Sequence, residues 1–291
     1  MSNSKTGKSA FAQKWQSLRH RPGSLAWYIL VHAGALFSVA TLAFIVVYIL
    51  INGIPNLTPE LFSLHYDSEN VSMLPALINT LFMAVIALVL ALPIGIGAAI
   101  YLVEYAKKGS RFVGLVRLTA ETLTGIPSII YGLFGSIFFV KFCNMGLSLL
   151  SGSLTLAIMV LPVILRTTEE SLKMVPDSYR EGSFGLGAGK LRTISQVVLP
   201  SAIPGIVSGV ILSIGRIVGE SAALIFTAGT IAEVASSVFA SSRTLAVHMY
   251  VLSGEGLYMN QTFATAVVLL LLAIILNFAA EFVAKLLRKD Q

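Results

Sequence analysis

The stretch EGSFGLGAGKLRTISQVVLP (Glu181–Pro200) decides how this chain is read. Four glycines in eight residues, followed by a lysine, suggest a loop that cradles phosphate, which would place the chain among α/β nucleotide-binding proteins. The spacing refuses that reading. A P-loop needs Gly, four residues, then Gly-Lys and a hydroxyl. Counting back from Gly189-Lys190 puts Phe184 where the first glycine belongs, and Leu191 stands where the Mg²⁺-binding hydroxyl should be. The dinucleotide fingerprint fails as well, because after Gly185 and Gly187 the third glycine comes one residue early, and no buried strand precedes the turn.

Composition supplies the alternative. Of the 291 residues, 56% are hydrophobic and 12% charged, with a mean hydropathy of +0.84, against about 25% charged in soluble chains. This predicts an all-α polytopic membrane protein. Six segments are long and apolar enough to cross a bilayer: 26–51, 74–102, 121–142, 147–166, 201–229 and 262–287. The first is too long for a signal peptide and ends in Ile-Asn-Gly, so it reads as an uncleaved anchor. The implied organisation is a basic tail (1–25), a first span with its loop (26–73), a core of five spans (74–287) and a short tail (288–291). The single cysteine, Cys143, excludes an internal disulfide.

The net charge of +6 is a topology signal rather than a nucleic-acid footprint. Seventeen of the twenty Lys and Arg residues fall in the two tails and in the connections holding Lys107–Arg117 and Arg166–Arg192. The positive-inside rule then puts both termini in the cytoplasm of a cell whose inner membrane holds the chain. The connections on the other side, 52–73 and 230–261, carry His65, Glu69, Arg243 and His248 and read as solvated loops. His65 and Glu69 alone make no metal site. Glu104 and Glu121, at span ends, are expected to balance the basic connection between them.

Within the quoted loop, Ser178 stands three residues before Glu181 in capping-box spacing. The loop is expected to form a short helix Tyr179–Leu186, a turn at Gly187, and a second helix Lys190–Val198 stopped by Pro200. Gly182, Ser183 and Gly185 leave the first helix nearly bare, which lets another surface approach its backbone. Glu181-Gly182-Ser183, then Gly187, then Leu199-Pro200 resemble the EAA loop of ABC-importer permeases: E-A-A, three residues, G, nine residues, I-x-L-P. That resemblance implies the type I ABC importer permease fold, with this loop as the coupling element seated in a separate ATPase. The stretches LTGIPSIIYGLFG (Leu123–Gly135), LPVILRTTEESLKMVP (Leu161–Pro176) and SIGRIVGESAALIFTAGT (Ser213–Thr230) resemble the permeases of phosphate-specific importers, in particular the PstA type.

The resemblance, which covers most of 70–287, implies a non-catalytic subunit of an importer of inorganic phosphate. It implies as partners a second permease of the PstC type, two ATP-binding subunits that hold ATP and Mg²⁺, and an extracytoplasmic phosphate-binding protein. This chain itself would hold no cofactor. Permeases for other oxyanions (phosphonate, molybdate) and an ATP-independent anion transporter are the competing readings.

The fifth span carries its own argument. Arg216 is expected near its middle, where an arginine costs roughly 2.5–3.5 kcal/mol, with Glu220 at i+4 on the same face. Gly205, Gly209 and Ser213 continue that stripe, which should face the bundle interior. Either Arg216 and Glu220 form an ion pair that fixes packing, or the guanidinium meets an anion in transit. In the second case Glu220 holds the arginine when no anion is bound, or accepts a proton from one. The resemblance supports a path role at Arg216 and, less directly, at Arg166, which otherwise is an ordinary positive-inside residue. Pro127 and Pro162 are expected to kink spans three and four.

Overall fold

The computed structural model describes residues 22–107 and 109–289; most of the basic tail 1–25 and the last two residues of the tail 288–291 lie outside them. The chain forms two units, residues 1–52 and 53–291. The first unit contributes nearly all of α1 (Pro22–Gly53), a 32-residue helix. It is apolar around its whole circumference, from Trp27 through Phe37 to Tyr48, as expected of a membrane-crossing helix.

Helices are the only regular elements among the second unit's described residues. The unit comprises α2 (Leu74–Ile100, ending in a π turn Tyr101–Tyr105), α3 (Arg111–Thr124), α4 (Ser128–Gly135, widening to π over Ser136–Phe142) and α5 (Leu149–Met174). After these come α6 (Asp177–Gly185), α7 (Lys190–Thr193, a π turn Ile194–Val198, then Leu199–Val218), α8 (Ala222–Thr227), α9 (Leu245–Glu255) and α10 (Met259–Lys289). Among the described residues α1, α2, α5, α7 and α10 have the length and apolarity to cross a membrane; α3 with α4 makes a sixth span if the bent pair counts as one.

Three span boundaries differ from the sequence expectation, each for a local reason. Segment 121–142 is not one straight span. α3 and α4 meet at 104°, because Pro127 has no N–H to continue the helix and restricts the residue before it. Segment 147–166 runs on to Met174: Ser148 caps its start by accepting the Ser151 N–H, and the i,i+4 pairs Arg166–Glu170 (3.0 Å) and Glu169–Lys173 (2.7 Å) support the added turns. Segment 201–229 begins earlier and ends earlier. Pro200 does not stop the second loop helix, since the π turn ahead of it absorbs the ring, and α7 runs unbroken from Lys190 to Val218. It stops at Gly219.

α5 is the central element: α2 and α7 pack along it over most of their lengths. The small stripe on α7 packs as expected. A Cβ on Gly205 would meet the Ser171 side chain of α5, one on Gly209 would meet Thr167, and Ser213 is fully buried. Gly209→Leu is therefore expected to push α7 off α5 and to destabilise the unit by about 2 kcal/mol or more. Thermal unfolding of the purified chain checks this, and an unchanged midpoint would refute it.

The segment 229–245 is a solvated loop only in part: Glu233 and Ser236–Phe239 are exposed, whereas Ser242–Leu245 are buried. Asn79 of α2 donates to the Glu233 carbonyl (2.8 Å) and accepts from the Ala235 N–H (3.0 Å), and Thr80 accepts from the Leu245 N–H (2.8 Å). Two polar residues in an apolar span thus tie down the chain that returns over its first turns, as buried polar groups must find partners. Leu61 and Met73 of the 53–73 segment are buried against the same end.

Candidate functional site

The loop end of the bundle is built around Arg180. Its guanidinium donates to Glu104 of the π turn ending α2 (2.8 and 3.1 Å), to the Val175 carbonyl (2.8 Å), to the Leu172 carbonyl (3.0 Å) and to Asp177 (3.2 Å). Arg180 and Glu104 are both largely buried. Glu104 therefore does not balance the Lys107–Arg117 connection; it anchors α6 to α2. Glu121 lies 3.8 Å from Arg166 instead. The cluster is extended by Glu169, whose buried carboxylate meets Arg117 at 2.6 Å and Lys173 at 2.7 Å.

On this anchor α6 presents its other face outward. It starts at Asp177, behind Pro176, with no side-chain cap, so the Ser178–Glu181 capping box does not form. Pro176 leaves no free N–H to cap and sets the helix start itself. The turn is as expected: Gly187 has φ +85°, its N–H donating to the Phe184 carbonyl (2.9 Å). Ser183 and Thr193 share a hydroxyl hydrogen bond (2.8 Å) that ties α6 to the start of α7. Lys190 lies over the Tyr105 ring at 4.8 Å, while Leu199 and Pro200 are half-buried at the base of the loop. Glu181 is exposed. A side chain added at Gly182, Gly185, Gly187 or Gly189 would meet nothing within 4 Å. Phe184, Leu186 and Leu191 are apolar and exposed beside them. The result is a rigidly anchored, bare, partly apolar knob.

The intramembrane charges are arranged differently from the sequence expectation. Arg216 lies in the last turn of α7, not at a span centre, and is half-buried. Among the described residues its guanidinium has no carboxylate within 4.0 Å. The i,i+4 pairing with Glu220 needs a continuous helix, and α7 ends before Glu220 is reached. Glu220 is buried and its carboxylate accepts the Ala223 N–H (3.0 Å), restarting the chain as α8. The guanidinium instead lies within electrostatic range of the Tyr131 phenol, whose hydroxyl donates to the Leu123 carbonyl (2.7 Å) at the α3–α4 break. The two broken helices touch: a Cβ on Gly132 of α4 would fall 2.7 Å from the Ala223 Cα of α8. Arg216, Glu220 and Tyr131 thus gather where two helices are interrupted, the kind of place where irregular backbone is tolerated at membrane depth.

Arg166 is elsewhere. It is exposed and paired with Glu170 (3.0 Å) and Glu121. Gly209 faces Thr167, so Arg166 lies some seven residues of helix, about 10 Å, nearer the loop end than Arg216.

Sequence reading missed a third group. Arg243 and His248, expected in a solvated loop, are buried at the end opposite the Glu181–Pro200 loop. Burial, and next the Arg243 charge, push the His248 pKa down to about 3; the Val71 backbone offsets this in part, although neither ring nitrogen reaches a hydrogen bond. Below about pH 6.5 the unfolded chain takes up a proton there that the folded chain refuses. Stability should fall by up to about 1.4 kcal/mol per pH unit from about 6.5 toward 3. His248→Gln should flatten that dependence in an unfolding series run in phosphate-free buffer; an unchanged slope would count against it.

Comparison with known proteins adds the following. Residues 91–289 match the family model described as binding-protein-dependent transport system inner membrane component. The chain is 30% identical over 260 residues to the probable ABC transporter permease protein YqgI of Bacillus subtilis (strain 168), covering 83% of this chain and 88% of that protein. It is 36% identical over 211 residues to the phosphate transport system permease protein PstA 1 of Mycobacterium tuberculosis (strain CDC 1551 / Oshkosh), covering 72% and 69%. Its fold matches a chain in the crystal structure of a bacterial ABC transporter involved in alginate import, with TM-score 0.61 at 14% identity over 94% of this chain and 98% of that one.

Proposed function

Because the chain belongs to the family of binding-protein-dependent transport system inner membrane components, we propose that it is the PstA-type permease subunit of an ATP-driven importer of inorganic phosphate. The substrate class is supported by the named phosphate permeases among its relatives. One observation carries it on the chain itself: a half-buried guanidinium, Arg216, with no carboxylate within 4.0 Å among the described residues, where the apolar helix α7 breaks off. An arginine in that place is expensive unless an anion visits it, and its planar donor fork fits phosphate oxygens.

In this reading the path runs between this chain and a second permease. Arg216 receives the phosphate, and Tyr131 lies within its electrostatic range. Glu220 sits one step along the chain, where it screens the arginine or takes a proton from the incoming ion. Arg166 serves the cytoplasmic mouth. The clustering of basic residues supports a cytoplasmic location for both termini and the Glu181–Pro200 loop, which leaves the opposite end for an extracytoplasmic binding protein. Two partner ATPases hold ATP and Mg²⁺ and supply the energy; this chain catalyses nothing. Glu181, Gly182, Ser183 and Gly187 form the surface an ATPase grips, and Arg180–Glu104 carries its movement into α2, while Leu199 and Pro200 carry it into α7.

The test is labelled-phosphate uptake in cells that lack the native gene and are complemented with this chain, with its membrane level measured. ATP-dependent uptake restored at a normal level of the chain supports the reading. A well-expressed chain that restores no uptake alongside its own partner subunits overturns phosphate as the cargo.

A further inference from the structure

The end of the bundle opposite the coupling loop holds a charge that neither the loop nor the Arg216 region uses. Arg243 is only 4% exposed, yet its Nε and Nη2 have no hydrogen-bond partner and no carboxylate lies within 4.0 Å among the described residues. Those two nitrogens form one edge of the guanidinium, the edge that offers two parallel N–H bonds to a carboxylate or phosphate. Its face is already taken: the Tyr66 ring lies 4.6 Å from the guanidinium carbon. His248 is fully buried, meets the same ring edge-on at 6.1 Å, and has both ring nitrogens unpartnered.

The position is built rather than accidental. Asn79 and Thr80 of α2 hold the chain on either side of Arg243, through Glu233, Ala235 and Leu245, and the Arg243 N–H donates to the Ile231 carbonyl (2.9 Å). Glu233, the acidic residue nearest in sequence, is exposed and lies beyond 4.0 Å of the guanidinium, whose Nε and Nη2 are buried and unpaired. A buried cation with an unpaired fork is costly to maintain and requires an acceptor. The unpaired nitrogens of Arg243 are donors only, which suits an anion, and His248 meets the same Tyr66 ring.

We infer that Arg243 and His248 form a second oxyanion site. It takes a small oxyanion, inorganic phosphate or sulfate, on the Nε–Nη2 edge of Arg243 and a ring N–H of His248, with Tyr66 stacked on the guanidinium face. In the proposed orientation it lies at the extracytoplasmic end, where an incoming anion would be held before it reaches Arg216. The site itself rests on Arg243 and does not depend on any role of Arg216.

The test uses the full-length chain in lipid nanodiscs with Tyr66→Trp as reporter, titrated with inorganic phosphate, and separately with sulfate, at constant ionic strength. A saturable change in tryptophan emission is expected. It should persist in Arg216→Gln and weaken at least ~10-fold in Arg243→Lys, which keeps the charge but loses the fork; His248→Ala should weaken it severalfold. A chain with native Tyr66 gives the second readout: phosphate raises the unfolding midpoint of wild type and Arg216→Gln more than that of Arg243→Lys. Equal phosphate binding by Arg243→Lys, loss of the response in Arg216→Gln alone, or no response to either anion overturns the inference. Failure of the uptake assay leaves this titration unaffected, so the two readings fail separately.

Discussion

Arg216→Gln is expected to reach the membrane at the wild-type level and to import phosphate at least ~10-fold more slowly. The size follows from losing one charge-assisted hydrogen-bonding group, worth about 1.5–3 kcal/mol, where the ion passes. The unimpaired level follows from the structure. Arg216 has no acidic partner among the described residues, and Glu220 is already satisfied by the Ala223 N–H, so removing the arginine strands no buried charge. Glutamine also relieves the cost of holding a cation at membrane depth. Arg180→Gln makes the contrast: it would leave Glu104 buried without its partner, and both the level and the unfolding midpoint should drop. If Arg216→Gln imports at the wild-type rate, the arginine has no part in the path. If it instead loses stability, a packing role replaces the transport role.

The second large effect lies some 30 residues back along the chain. Glu181→Lys and Gly187→Asp are each expected to reduce uptake to background while the chain still inserts. Glu181 is exposed and no side chain of the bundle leans on Gly187, so neither change disturbs the packed core. Gly187 sits at φ +85°, where an aspartate costs on the order of 1 kcal/mol locally, enough to distort the turn but not to unfold a bundle. What both changes damage is the bare knob: one reverses a surface charge, the other adds a charged side chain to a backbone left open on every side. ATP hydrolysis by the assembled transporter should continue without uptake. Normal uptake in both variants would remove this loop from the coupling role.

Most of the architecture was legible because the bilayer imposes it. A backbone surrounded by hydrocarbon must satisfy its own hydrogen bonds, so runs of about 20 apolar residues can only be helices. Gly187 was readable as a turn because few other residues adopt its backbone angles, and the Gly205–Gly209–Ser213 stripe because a period of four places small residues on one face. What misled was the assumption of continuity. Hydropathy averages over a window and passes smoothly across Gly125–Pro127 and Gly219–Ser221, so 121–142 and 201–229 looked like whole spans. Helix breaks depend on single residues and on what packs beside them. Once α7 stops at Val218, Arg216 and Glu220 no longer share a face, and a pair that follows from spacing alone does not exist.

The polar segments show the same divide. Nothing in the order of residues 229–248 tells that 242–248 are buried while 236–239 stay exposed, because the tie comes from Asn79 and Thr80, more than 150 positions away. Glu104 likewise finds Arg180 across 76 positions rather than the lysines beside it. Periodicity, apolar length and basic asymmetry are local quantities, and they alone determine that this chain is a helical membrane protein with a glycine-bare loop on its basic side. Which charges are paired, buried or left open is settled by contacts between distant segments. Only the packed bundle decides that Glu220 caps a helix, that Arg216 meets no carboxylate among the described residues, and that Arg243 and His248 lie buried with their donors unspent.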